Sequence, residues 1–550
     1  MTTLSAASDH SESGMPAGKP STTQTSTPTG TPPGPQTGSH WMLRSAAASG
    51  LTVCFANPGT TELPFVAGMD AVPDVRPILT MFEGVCSGAA DGYYRISGKP
   101  AMTLTHLGPG FANAIANLHN ARRAGSAIYN VIGEHMSWHI EADPPLNSDI
   151  ESLARPVSAG VYRADSVASL ASVTRQSLDN VVAPGGGIHS LILPMDLQAA
   201  PMDAPLHAAV AKPIDAPMDG AAIDRVAAGI AAGKRTLLLL GADALHEAAL
   251  IEALRFRSLG HVDIVGETFP ARSEHGGGLP AIRRFNPSAE QAHPYLLGFD
   301  CVALIGAKRP VAFFGAPGYP SFLGDPARTI PLCGGSEGAR GVLRALAETL
   351  RLPVQSVQAP PPAQDHDRDN TLTAESAARV VAAHLPANAI VSAEGQTLAF
   401  PFNAIAAEAQ RHSTIVLTGG AIGQGIPAAF GAAIAAPDRK VIGLQSDGSA
   451  LYTIQTLWSM AREGVDATIL IASNRRYNIL INEMRRNGYD LVSPAVTDLL
   501  HLSRPDIDWV HLARGFGVKA DRVETVAELR ASFRRAMAEP GPKLIEVVLP

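Results

Sequence analysis

The chain has 550 residues, too many for one core and, at roughly 100–200 residues per domain, suited to two to four of them. With 46% hydrophobic and 17% charged residues, 51 Gly and 43 Pro, it is a small-residue-rich globular sequence, and neither a wholly disordered nor a fibrous chain fits that profile. The net charge of −7, from 43 basic against 50 acidic residues, gives no dominant field for holding nucleic acid or a membrane surface, so a small molecule is the expected partner.

In chain order, residues 1–39 are dominated by Ser, Thr, Pro and Gly and read as a disordered tail. They lack the basic start and apolar run of a signal peptide, and no later stretch reaches the roughly 18 uncharged residues of a membrane span. Cys54, Cys86, Cys301 and Cys333 form no CxxC pair, and a reducing, cytoplasmic setting is expected. From Trp41 onward short apolar runs alternate with Ala-rich segments. Residues 51–55, 78–81, 101–105, 127–132 and 191–193 read as buried strands, with 83–96 and 111–123 as helices between them. The pattern repeats in strands 236–240, 262–265, 301–305 and 329–332, and again in 389–392, 414–417, 440–445, 467–472 and 543–548. Such alternation predicts an α/β protein with three doubly wound parallel-sheet domains, at 40–205, 213–352 and 371–550, the last two joined by a polar, Pro-rich linker at 353–370.

In open parallel sheets ligands sit beyond the carboxyl ends of strands, so the loops there are where chemistry is sought. Strand 440–445 runs into Ser446-Asp447-Gly448-Ser449, then a helical stretch at 451–463, then strand 467–472, which ends in Ser473-Asn474-Arg475-Arg476-Tyr477. A right-handed crossover sets such strands side by side or nearly so and brings Asp447 to Asn474. A carboxylate, an amide oxygen and a loop carbonyl make a hard site suited to magnesium and phosphate, and Gly448 permits close backbone approach. Asp-Gly alone is an ordinary turn signal, as Asp91-Gly92 illustrates; the strand, loop, helix, strand, Asn order is what is specific. Glu83 lies where strand 78–81 meets its helix, and taken alone reads as a solvated first-turn residue complementing the helix dipole. Thr418-Gly419-Gly420-Ala421-Ile422-Gly423-Gln424-Gly425-Ile426-Pro427 is a Gly-rich loop before a helix, and it lacks the third Gly of a dinucleotide fingerprint.

The stretch from Asp447-Gly448-Ser449 to Asn474, 27 residues on, resembles the cofactor motif of thiamine diphosphate enzymes such as acetolactate synthase large subunits, benzoylformate decarboxylase and pyruvate decarboxylase. The likeness covers about residues 41–550 and is strongest in the first and last domains. It implies pyrimidine-binding, central Rossmann-like and diphosphate-binding domains. Asp447, the Asn474 side chain and the Arg476 carbonyl would bind magnesium, with Gly448 and Ser449 in the same loop and Ser446 standing where the family usually has Gly. Glu83 would hold the aminopyrimidine so that the thiazolium C2 can lose its proton. Gly420 would offer a backbone acceptor, Ile422 an apolar prop beneath the thiazolium, and Gly395 and Gln396 contacts to the diphosphate.

On the substrate side, Asn57-Pro58-Gly59-Thr60-Thr61-Glu62-Leu63-Pro64-Phe65 is similar to a loop of benzoylformate decarboxylase, with Thr60 in place of its substrate-binding Ser; read by itself, Thr60 is equally a helix N-cap. His106, 23 residues after Glu83, matches that enzyme's catalytic His and suits a proton shuttle. Two positions depart from the pattern. The run 307–314 has Phe where benzoylformate decarboxylase presents a second catalytic His, and Leu480 stands where pyruvate decarboxylase carries Glu. His119, His135 and His139 read as structural.

The resemblance therefore implies a thiamine diphosphate- and magnesium-dependent 2-oxo acid decarboxylase and carboligase of acetolactate synthase type, in which fewer proton donors favour transfer to a second carbonyl acceptor. It further implies a homodimer or homotetramer in which Glu83 of one subunit faces Asp447 and Asn474 of the partner subunit. FAD is not expected, since the central domain shows no signature for it. The alternatives are a non-ligating decarboxylase, a dinucleotide-dependent oxidoreductase, for which no GxGxxG speaks, and a non-catalytic partner subunit, against which retention of Glu83 argues.

Overall fold

The computed structural model describes residues 36–211, 218–334, 338–358, 369–489 and 493–550; most of the expected tail and of the linker lie outside them. One boundary moves. The first helix, Gly38–Ala48, begins inside the stretch assigned to the tail, because Thr37 accepts from His40 N in a capping box and Ser39, Trp41, Met42 and Leu43 are fully buried.

The first sheet contains β1 (Val53–Asn57), β2 (Arg76–Leu79), β3 (Ala101–Thr105), β4 (Ile128–Glu134), β5 (Gly160–Arg163) and β6 (Ile188–Pro194). All six are parallel, in the order β2-β1-β3-β4-β6-β5. The sequence pattern misses β5, a half-buried edge strand without an apolar run. The middle segment supplies β7 (Thr236–Leu240), β8 (Val262–Gly266), β9 (Ser273–His275), β10 (Arg283–Arg284), β11 (Cys301–Ile305) and β12 (Thr329–Cys333). Five of these form a parallel sheet in the order β10-β8-β7-β11-β12. The third sheet joins β13 (Ala389–Ala393), β14 (His412–Val416), β15 (Val441–Ser446), β16 (Ala467–Ser473), β17 (Lys519–Val523) and β18 (Lys543–Val548). Its order is β17-β18-β16-β15-β13-β14-β9, so β9 leaves the middle segment and pairs antiparallel with β14, His275 opposite His412.

The first and third units share one apolar core that includes Phe55, Phe111, Ile426, Phe430 and Trp509, whereas the middle sheet packs on clusters of its own. At the centre of the shared core the helix Glu83–Ser97 crosses the helix Gly425–Ala435 at backbone contact. A Cβ on Gly92 would lie 2.1 Å from the Ala428 carbonyl oxygen, and one on Gly431 1.8 Å from that of Ala89. Asp91 is therefore no surface turn; it lies fully buried within a helix. The helix expected at 451–463 also differs: Asp447–Ala450 forms a short helical turn, and Thr456–Glu463 resumes after a break. No described helix is long and apolar enough to cross a membrane.

Candidate active site

Four adjacent strands of the third sheet, β16, β15, β13 and β14, deliver Asn474, Asp447, Gly395 and the Gly419–Gly425 segment at their carboxyl ends. The crossover expectation holds: β15 and β16 are parallel neighbours, with Ser446 paired to Ala472. Asp447 is buried, and its two oxygens accept from Gly448 N at 2.8 Å and Arg475 N at 2.6 Å. Burial raises its pKa, and those amides hold the rise back. Asn474 Oδ1 accepts from Arg476 N at 3.2 Å, while Arg475 between them is held at φ 57°, a strained conformation for a non-glycine residue beside a site. Gly448 is crowded by an aromatic ring: a Cβ there would lie 2.5 Å from Tyr477 Cε1. Ser449 Oγ turns back to Gln445 Oε1 and the Ser446 carbonyl.

Among the described residues no cluster of three His, Cys, Asp or Glu could hold a metal. A cation here would rest on one carboxylate with amide and carbonyl oxygens, a hard set that suits magnesium rather than a soft ion. Beside it, Gln445 Nε2 is buried without a partner.

Glu394, at the end of β13, draws the neighbouring loops together. Its oxygens accept from Gly423 N and Gly425 N, each at 2.5 Å, and burial raises its pKa. Gly395 then packs so tightly on β15 that a Cβ would lie 2.3 Å from Ser446 N, and Gln396 opens the next helix on the surface. Gly420 is exposed at φ 80°, and Ile422 is half-buried. The middle segment reaches this loop through Phe313, whose Cζ lies 3.8 Å from the Cβ position of Gly420; Phe314 and Phe269 pack on Phe313 at 4.6 and 5.5 Å between ring centroids.

In the first sheet the adjacent strands β2, β1 and β3 end at Glu83, the Asn57–Glu62 loop and His106. Glu83 is the first residue of its helix and only 5% exposed, so the solvated reading fails. Its oxygens accept from Asn57 Nδ2 and Asn113 Nδ2, both at 3.0 Å. Thr60 is exposed and opens a single turn whose cap is Gly59, so the N-cap reading of Thr60 also falls. His106 Nδ1 stands 2.8 Å from Glu62 Oε2. Glu62 is fully buried and also accepts from Gly59 N at 2.7 Å and Thr61 Oγ1 at 2.5 Å. With that carboxylate ionised, His106 donates through Nδ1, leaving Nε2 as the nitrogen free to carry or accept a proton. Two glycines make room: a Cβ on Gly59 would lie 2.2 Å from the His106 ring, and one on Gly133 1.5 Å from Glu62 Oε1.

The helix Leu107–Ala124 ties the first unit to the third. Asn117 donates to the carbonyls of Gly84 and Gly423, at 2.8 and 3.4 Å. Asn120 exchanges bonds with Ala421, and His119 Nε2 donates to the Gly419 carbonyl at 3.1 Å. Sequence reasoning missed Glu62, Glu394, Asn113, Asn117 and Asn120 as contributors. A signal existed for the three asparagines, which recur at helical spacing along one stripe of an Ala-rich helix. None existed for the two glutamates, whose burial is tertiary.

Residues 36–150 match the N-terminal, and residues 396–547 the C-terminal, TPP-binding domain of thiamine pyrophosphate enzymes. A Mycobacterium tuberculosis protein provisionally named acetolactate synthase large subunit IlvX is 43% identical over 519 residues, covering 93% of this chain and 99% of that one. The benzoylformate decarboxylase of Pseudomonas aeruginosa is 29% identical over 528 residues, covering 90% and 96%. Among solved structures, the thiamine diphosphate-dependent 4-hydroxybenzoylformate decarboxylase of Rhodococcus jostii RHA1 superposes with a TM-score of 0.80 at 26% identity, over 93% of this chain and 99% of that one. The chain belongs to the thiamine pyrophosphate enzymes, in the family that holds acetolactate synthase large subunits and benzoylformate decarboxylases.

Proposed function

We propose that this protein is a magnesium-dependent decarboxylase and carboligase of 2-oxo acids, of acetolactate synthase type. The observation that carries the reading is a buried carboxylate, Glu83, held by Asn57 and Asn113 at the carboxyl end of the first sheet. When bound, thiamine diphosphate supplies the nucleophilic carbon and electron sink that side chains lack. The chain's own residues bind, orient and move protons. Asp447, Asn474 and the Arg476 carbonyl hold the cation, whose charge would offset the cost of burying Asp447. Gly448, Ser449, Gly395 and Gln396 border the diphosphate, while Gly420 and Ile422 set the bend of the cofactor. Glu83 binds the pyrimidine nitrogen, and His106 exchanges a proton with the substrate-derived oxygen or carbon, with Thr60 offering a hydroxyl at the pocket mouth.

Product choice follows from the remaining donors. Phe313, Phe314 and Leu480 put apolar groups where decarboxylating relatives of the resemblance carry ionisable ones, which favours capture of a second carbonyl compound over protonation. The His106–Glu62 pair supports the second reading, simple decarboxylation to an aldehyde, because it sets an oriented imidazole at the same end of the first sheet as Glu83. A homodimer or homotetramer with Glu83 of one subunit facing Asp447 of the partner subunit completes the proposal. A panel of 2-oxo acids, supplied with thiamine diphosphate and magnesium, tests it by reading carbon dioxide release and coupled products together. Glu83→Gln should bind cofactor yet lose turnover at least about a hundredfold; undiminished turnover would sink the assignment.

A further inference from the structure

The Glu83–Ser97 helix carries a fully buried ion pair that the chemistry above does not use. Arg95 grips Asp91 with two parallel bonds, Nε to Oδ1 at 2.8 Å and an Nη to Oδ2 at 2.6 Å. Ser126 Oγ donates to Oδ1 at 2.5 Å and Gln424 Nε2 to Oδ2 at 2.8 Å, so Asp91 is ringed by donors from three segments. The other face of the guanidinium leaves the helix for the third unit, donating to the Val416 carbonyl at 2.6 Å and Thr418 Oγ1 at 3.0 Å. Thr418 in turn donates to the Asn120 carbonyl.

An apolar pair of the same volume would serve stability as well or better, because burying two charges is costly even when they meet. What an apolar pair cannot do is fix directions. Val416, Thr418 and Gln424 bracket the segment bearing Gly420 and Ile422, and the backbone contact of the two helices leaves no slack through which that segment could drift. Glu394, at the end of β13, holds the same segment through Gly423 N and Gly425 N.

We propose that the Asp91–Arg95 pair is a positioning device for thiamine diphosphate: through Val416, Thr418 and Gln424 it locks the Gly420–Ile422 loop in its cofactor-binding shape before the cofactor arrives. The inference rests on the functional reading of that loop, and its test separates the two. Gln424→Leu keeps the ion pair and its volume but removes one charge-assisted bond, and Arg95→Lys keeps the charge while giving up the fork to Val416 and Thr418. Titration of the full chain with thiamine diphosphate and magnesium, followed by protein fluorescence, should show Kd about tenfold weaker in each variant, the worth of one such bond. The KM for the 2-oxo acid at saturating cofactor should stay near wild type, while the thermal midpoint of the cofactor-free chain should fall in both variants, because each leaves buried polar groups with fewer partners. Amide exchange of residues 416–425, measured without cofactor, should quicken in both variants and elsewhere remain unchanged. Wild-type Kd and wild-type exchange in both variants would overturn the inference. Failure of the wild type to bind thiamine diphosphate would overturn the functional reading, while the exchange experiment, which needs no cofactor, would still judge the inference.

Discussion

Replacing Glu62 by Gln asks whether the buried carboxylate acts through His106. The side chain keeps its shape, and its amide can still accept from Gly59 N and His106 Nδ1 through one oxygen while turning its NH2 to Thr61 Oγ1. What is lost is charge: a hydrogen bond to an ionised group contributes about 1.5–3 kcal/mol, one between neutral groups about 0.5–1.5. The His106 bond should therefore weaken by about 1–1.5 kcal/mol, or roughly five- to tenfold in the step that His106 serves. His106→Ala should cost more, roughly 10²–10⁴-fold, the usual worth of a positioned acid or base. Glu62→Ala should approach that loss, because it leaves His106 Nδ1 without the carboxylate that orients the ring. The assay is carbon dioxide release under kcat/KM conditions, with the double variant Glu62→Gln, His106→Ala closing the cycle. A Glu62→Gln enzyme equal to wild type, or one whose defect simply adds to that of His106→Ala, would refute the idea that the two residues act as a unit.

Three further outcomes are expected. Gly92→Ala, whose Cβ would sit 2.1 Å from the Ala428 carbonyl oxygen, should destabilise the fold by about 3 kcal/mol or more in denaturant titration, and a loss under about 1 kcal/mol would contradict backbone contact between the helices. Burial raises the Asp447 pKa, so between the ordinary aspartate value and that raised value the folded chain holds a proton the unfolded chain has released; stability of the cation-free chain should fall as pH climbs through that window. Magnesium with cofactor, or Asp447→Asn, should remove that share of the slope in calorimetry, and an identical slope in all three samples would count against it. Phe313→His, which adds an ionisable group beside Gly420, should raise the ratio of aldehyde to coupled product in chromatography, and an unchanged ratio would end the argument from missing donors.

Much of the architecture was legible because parallel strands buried on both faces are continuous apolar runs, and 101–105, 236–240, 301–305 and 543–548 coincide with observed strands to the residue. Edge strands escaped notice for the converse reason. Arg163 in β5 bonds to Glu134 and Glu151, and Glu274 in β9 to Arg272 and Ser413, so these short strands carry polar residues and leave no apolar run. The loop proposed to hold the metal was legible because its arrangement is local, a carboxylate and an amide at the ends of consecutive strands that a right-handed crossover brings together.

By itself, then, the sequence determined the three layered sheets and pointed to the loops proposed to border the cofactor, since each depends on hydrophobic period or on short-range spacing. Only tertiary structure decided that Glu62 lies against His106, that Glu394 and the Asp91–Arg95 pair both bond to one loop, and that β9 crosses into the third sheet. Those relations depend on which polar groups lose water together when distant segments pack, and a buried glutamate is spelled the same way as a solvated one.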